Sequence, residues 1–276
     1  MPSKILAIPF LLIVGALGYY SWKINDAYVF YILPFFLVLA LIYIFAPQID
    51  WWWYERNPPD VDKPIRKMLE KTNPFYNRLT PTDQTKFRQK LAMFVMGVNF
   101  MPKGWETIPE DVKFAIAANA VQLNFHQEDL LFEKYENVVV YPTAFPSPQY
   151  PEHFHSSEVF KEDGVLLFSA QEVMYGSLKP EQYYNVAIHE YIKVFMDKFQ
   201  TPSLPVFTKE DWSELGKVSH LKEVHIRQIL NVPDIDPSVV AATLYHSFPE
   251  SFQKVFPEQA VKLDNIFGSK RVAVAT

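Results

Sequence analysis

Two uncharged stretches near the N-terminus constrain this chain more than any other feature. Residues 5–22 (ILAIPFLLIVGALGYYSW) and residues 27–47 (AYVFYILPFFLVLALIYIFAP) contain no Asp, Glu, Lys or Arg. Each approaches the ~20 apolar residues a helix needs to cross a bilayer core. Only Lys23-Ile24-Asn25-Asp26 lies between them, enough for a tight helical hairpin. Tyr19, Tyr20 and Trp22 close the first stretch, and Trp51, Trp52, Trp53 and Tyr54 follow the second. Aromatic clusters at such ends suit a membrane–water interface. Pro9 and Pro34 are tolerated in spanning helices, where neighbouring groups re-satisfy the freed carbonyls.

Two alternatives stand beside the hairpin. Residues 1–20 have features of a cleaved signal peptide, with Lys4 before an apolar run and small residues at Gly15, Ala16 and Gly18. The run is long for that role and lacks an A-x-A cleavage site. A buried hairpin of a soluble domain is the other alternative. Segment length and aromatic flanks favour two spans, at about 5–22 and 27–47. Lys4 precedes the hairpin and Lys23 sits in its turn, whereas Arg56, Lys63, Arg66, Lys67 and Lys71 follow it. That excess places both termini in the cytoplasm, making a multi-pass protein of the inner (cytoplasmic) membrane whose soluble part faces the cytoplasm.

The remainder reads as a folded, mainly helical region. The 276 residues can hold one large domain or one domain plus an appendage, and 22 prolines against 8 glycines punctuate loops rather than low-complexity tracts. A formal charge of −5 gives no footprint for nucleic acid, and the absence of cysteine excludes disulfides and thiolate ligands. Asn57-Pro58-Pro59-Asp60 breaks any helix leaving the hairpin. Residues 51–78 read as a juxtamembrane linker with a short helix near Pro64–Lys71, and residues 79–276 as the domain. Thr80-Pro81-Thr82-Asp83 is a helix start, followed by Phe87, Leu91, Phe94, Val95 and Val98 at helical spacing. Residues 138–141 and 165–168 read as strands, and Lys179–Phe199 as a long helix.

That helix carries the motif with chemistry. His189-Glu190-Tyr191-Ile192-Lys193 matches the zinc-peptidase pattern H-E-x-x-H except at its last position. In the pattern, two histidines on one helical face hold zinc and the glutamate acts as general base. Lys193 is an ammonium with no lone pair for a metal. His153 and His155 look like an H-x-H metal pair, though surface histidines in a loop are commoner. His220 and His225 lie in a charged helical stretch. No G-x-S-x-G elbow or glycine-rich phosphate loop occurs.

The succession of segments carries a resemblance. LTPTDQTKFRQKLAMFVMGVNF (79–100) leads into PEDVKFAIAANAVQL (109–123), then VVVYPTAF (138–145), GVLLFSAQEV (164–173), VAIHE (186–190) and DPSVVAATLYHSF (236–248). In order and spacing, these resemble the Mlc titration factor A family of zinc-dependent peptidases over roughly residues 79–267. The resemblance implies an α+β, zincin-like (gluzincin) domain, mostly helical with a small sheet, here preceded by the transmembrane hairpin. It also implies a third zinc ligand from a downstream glutamate helix, and an edge strand that holds extended substrate by β-augmentation. Relatives bind a transcriptional repressor, but no identifiable positions here transfer that partner.

Residue by residue, the implied site is damaged. The first zinc histidine falls on His189 and the general base on Glu190. The second histidine falls on Lys193, the downstream acidic ligand on Val239, and a further family glutamate on His246. A family tyrosine falls near Val232. A catalytic zinc normally has three protein ligands and a water, so the expectation is a pseudopeptidase that needs no cofactor and binds a protein or peptide. The alternative is an active zinc metallopeptidase with a rearranged site of His189, Glu190 and His246. A third reading is an anchor domain in a larger membrane assembly.

Overall fold

The uncharged N-terminal stretch forms one helix, α1 (Pro2–Lys23), in a computed structural model that describes residues 1–199 and 203–268. The chain divides into two compact units, the first covering Met1–Pro59 and the second starting at Asp60. In the first unit, Asn25 accepts the Ala27 N–H and starts a short 3-10 turn, Asp26–Tyr28, that reverses the chain into α2 (Val29–Ile44). α2 packs on α1. The second apolar stretch is not one helix to residue 47. It stops at Phe45, and a separate helix α3 (Ala46–Arg56) begins with Pro47 in its first turn. None of the apolar window of α1 is buried, and 6% of that spanning Asp26–Ile44 is. Both helices are long and apolar enough to cross a membrane, and their exposure sets them apart from the core helices of a soluble domain.

In the second unit, residues 60–78 differ from the linker expected of them. α4 (Lys63–Thr72) turns Ile65 and Leu69 inward and Lys63, Lys67 and Lys71 outward, and α5 (Pro74–Arg78) buries Tyr76. Val61, Ile65, Leu69 and Tyr76 belong to the domain core. Arg88 ties this segment down. It is 8% exposed and donates from Nε to Asp60 (2.8 Å), from Nη1 to the Tyr76 hydroxyl (2.8 Å) and from Nη2 to Thr85 (3.1 Å). The lysines and prolines suggested a linker, but one i, i+4 apolar pair suffices to dock a short helix.

α6 (Pro81–Gly97) starts as read, with Thr80 accepting the Asp83 N–H. β1 (Asn99–Pro102) and α7 (Glu110–Asn124) follow, then β2 (Asn137–Tyr141), β3 (Ser157–Phe160) and β4 (Val165–Ser169). The sheet order is β1-β2-β4-β3, with β1, β2 and β4 parallel and β3 antiparallel at the edge. Strand β2 buries Val138 and Val140 on one face and leaves its other residues partly exposed, the alternation of a half-covered sheet. α8 (Ala170–Leu178) and α9 (Val186–Phe199) come next. The expected helix from Lys179 starts at Val186 instead, because Lys179 caps α8 and Pro180 follows it. The fold closes with α10 (Trp212–Ser219), α11 (Glu223–Leu230), α12 (Pro237–Ser247), α13 (Pro249–Val255) and α14 (Pro257–Phe267). α9 packs against α7, α12 and β3, which places it at the centre of the domain. The architecture is the expected α+β one, mostly helical with a small sheet.

Candidate functional site

Asn185 opens α9: its side-chain oxygen accepts the Ile188 N–H at 3.0 Å. Every residue from Val186 to Ile192 is then buried, because neighbouring elements cover the first two turns on all sides. His189 is 2% exposed and Glu190 1%. Two side chains that periodicity singles out as a motif are therefore enclosed, where each polar atom needs a partner.

His189 Nδ1 shares a 2.8 Å hydrogen bond with the Tyr184 hydroxyl. Burial drives the imidazole well below its ordinary pKa and the Lys193 charge pushes the same way, so the ring is neutral at physiological pH. Burial also drives Tyr184 well above its ordinary value, opposed by a hydrogen bond with Thr243 and reinforced by Glu190, so the phenol stays protonated. Thr243, on α12, donates its hydroxyl to the Val239 carbonyl at 2.8 Å. The imidazole is thus held at Nδ1 as metal-ligating histidines are usually held by an outer partner. Neither Tyr184 nor Thr243 was legible in the sequence: in a helix running from Lys179, Tyr184 would be i−5 from His189 and face away from it, whereas α9 starts only at Val186.

Tyr184 is placed by a close approach of backbones. A Cβ on Gly176 of α8 would stand 2.8 Å from the Tyr184 carbonyl oxygen and 3.0 Å from Asn185 Cα. Gly176→Ala is expected to displace this turn, costing about 1–3 kcal/mol and loosening the His189 ring. Loss of thermal stability with a shifted His189 imidazole NMR signal checks it; an unchanged signal would show that the turn does not hold the ring.

Glu190 is engaged at both oxygens. Ser157 of β3 donates to Oε1 at 2.8 Å, and the Lys193 ammonium lies 2.9 Å from Oε2. The Lys193 side chain is 32% exposed and that of Glu190 2%, so the cation reaches in from the solvent side to neutralise an enclosed carboxylate. Both oxygens of Glu190 are therefore already engaged by groups of the protein. Ser157 was missed in the sequence because β3 is only four residues long and starts with polar ones.

The other candidates are elsewhere. Val239 is buried on α12 and offers no side-chain donor. His246 does not join His189 and Glu190. It lies edge-on to Phe267, ring centroids 4.5 Å apart, and lines a small cavity of about 40 Å³ with Gln122 and Ile188. It stands on the same side of α12 as Thr243 but one turn further along, in the last turn of the helix. His153 is exposed, but His155 is not a surface residue and pairs with no metal partner: Nδ1 donates to the His153 carbonyl (2.9 Å) and Nε2 meets Glu158 (3.0 Å). His220 and His225 are exposed, at the end of α10 and on α11. Val232 packs partly buried against the core.

Among the described residues no group of three or more His, Cys, Asp or Glu side chains comes together. The donor set does not fit a catalytic zinc: His189 offers one nitrogen, and an ammonium occupies the neighbourhood where a dication would have to sit.

Comparison with known proteins agrees with the fold. No curated protein matches the chain. A family model described as glucose-regulated metallo-peptidase M90, the Mlc titration factor A family, matches residues 49–201. The match takes in the whole of α4 to α9, including the segment expected to be linker, and ends before α12. It covers more than half of the chain, with His189 and Glu190 inside it, so the chain belongs to the glucose-regulated metallo-peptidase M90 family.

Proposed function

We propose that this chain is a membrane-anchored, non-catalytic member of its zinc-metallopeptidase family that works by binding an extended protein or peptide segment. The observation that carries the reading is the Lys193 ammonium 2.9 Å from Glu190. In a working site that carboxylate would face a metal-bound water; here Ser157 and Lys193 already take both its oxygens. Peptide binding has its own support. Ser169 N–H bonds to the Ser156 carbonyl, and Glu158 pairs opposite Leu167. In an antiparallel ladder this alternation directs the main-chain groups of Ser157 and Val159 away from β4; Ser157 is enclosed, and it is the partly exposed Val159 that offers them to a strand added at that edge. The exposed apolar surfaces of α1 and α2 support two membrane spans, and the basic residues that follow them support a domain on the cytoplasmic side of the inner membrane.

The test is metal and activity together. Full-length protein, purified in detergent without chelator, is expected to carry far less than one zinc per chain by elemental analysis and to hydrolyse no peptide. Near-equimolar zinc, with hydrolysis that disappears in Glu190→Gln, would establish a working peptidase and end this reading.

A further inference from the structure

The helix that follows the second apolar stretch is too short and too polar in its middle to be part of a span. α3 has 11 residues, so its length is about 16 Å, half of a hydrocarbon core of ~30 Å. Its central Asp50 accepts hydrogen bonds from the Ser3 N–H (2.7 Å) and the Ser3 hydroxyl (2.9 Å), capping the first turn of α1. Two constraints then fix its level: chain continuity with the end of α2, and this bond to the start of α1. A carboxylate is costly inside a bilayer, so Asp50 and the first turn of α1 belong at its boundary.

α3 is also two-faced. Ile49, Trp52, Trp53 and Arg56 follow the i, i+3, i+4, i+7 spacing of one helical face. Trp52 and Trp53 are 53% and 47% exposed, and the Arg56 guanidinium stacks 4.0 Å from the Trp52 ring. Trp51 and Glu55 lie about 200° around the helix from Ile49 and Trp53, and the Trp51 indole N–H donates to Glu55 at 2.8 Å. Indole rings prefer the headgroup region, and an arginine beside them extends its charge to phosphate while its stem stays apolar.

We propose that α3 is a third membrane element, an in-plane helix that lays Ile49, Trp52, Trp53 and Arg56 on the boundary between lipid headgroups and acyl chains. The inference rests on the reading of α1 and α2 as spans. Lipid is the occupant because α3 follows α2 after Phe45 alone and packs against both α1 and α2, whose apolar side chains stand exposed.

The chain has no cysteine, so single cysteines can be placed from Gln48 to Arg56 in the full-length protein without removing any. Each is labelled with a nitroxide in liposomes of phosphatidylcholine and phosphatidylglycerol, and its accessibility to oxygen and to a nickel chelate is measured. Leu12→Cys and Phe36→Cys serve as references inside the spans. The expected oxygen-to-nickel ratio is high at both references. Along α3 it oscillates with a helical period, several-fold higher at 49 and 53 than at 51 and 55. Uniform nickel accessibility along α3, or a uniformly high oxygen ratio there, with deep references, would overturn the in-plane helix and leave the spans standing. Nickel-accessible references would overturn the spans themselves.

Discussion

Arg88→Leu is expected to lower the unfolding free energy of the second unit by about 2–4 kcal/mol. Arg88 is 8% exposed and joins three elements that the sequence separates: Asp60 before α4, Tyr76 on α5 and Thr85 on its own helix α6. Leucine fills part of the volume but leaves the buried Tyr76 hydroxyl and the Asp60 carboxylate short of a donor. Arg66→Leu provides the comparison. Its ion pair with Asp60 has both side chains more than a third exposed (41% and 36%), and its loss should cost under about 1 kcal/mol. Urea unfolding of the full-length protein in detergent, followed by circular dichroism, reads both. Equal midpoints for the two variants would mean that residues 60–78 are not part of the cooperative unit.

The same contact has a pH signature. Burial alone would raise the Asp60 carboxyl, but the Arg88 hydrogen bond, the Val61 N–H and the charges of Arg88 and Arg66 together hold it below its ordinary 3.8. A group depressed in the folded state binds fewer protons there than in the unfolded chain. Its stabilisation is therefore complete above the unfolded value near 4 and is lost as pH falls through the lower folded value. The gap between wild type and Arg88→Leu should be full at pH 7 and should narrow below pH ~4.

Part of this architecture was legible because it depends on local rules. The Thr80 cap, the Asp236 cap of α12 and the apolar face of α6 follow from side chains adjacent in sequence. The uncharged stretches announced α1 and α2, and His189-Glu190 lies on a helix as its spacing required. Contacts set by tertiary approach were not legible. Ser157 reaches Glu190 across 33 positions and Arg88 reaches Asp60 across 28, and nothing local marks either partner. His155 looked like a surface histidine in a loop, yet it is buried and paired with Glu158. The Ile65–Leu69 pair was visible in the sequence, but the lysines around it drew the reading toward solvent. Pairing of Lys193 with Glu190 was foreseeable because i, i+3 positions on a helix face one another.

Lys193→Met is expected to destabilise the domain by about 2–4 kcal/mol, and more than Glu190→Gln does. The asymmetry follows from burial. Removing the ammonium leaves a carboxylate, 2% exposed, with only the Ser157 hydroxyl for company. Removing the carboxylate leaves an ammonium on a side chain 32% exposed, which water can reach. A glutamine at 190 still accepts from Ser157. The double variant should recover most of the loss, giving an interaction energy of about 1–3 kcal/mol in the cycle. Hydrogen exchange adds a spatial readout: α9 and β3 should both open more readily in Lys193→Met, because Glu190 joins them. In a working zinc peptidase the lysine would be dispensable and the glutamate would matter to rate rather than stability. A Lys193→Met protein as stable as wild type would remove the ion pair as the organising feature of the site. Glu190 would then need another account of how its enclosed side chain is accommodated inside the domain.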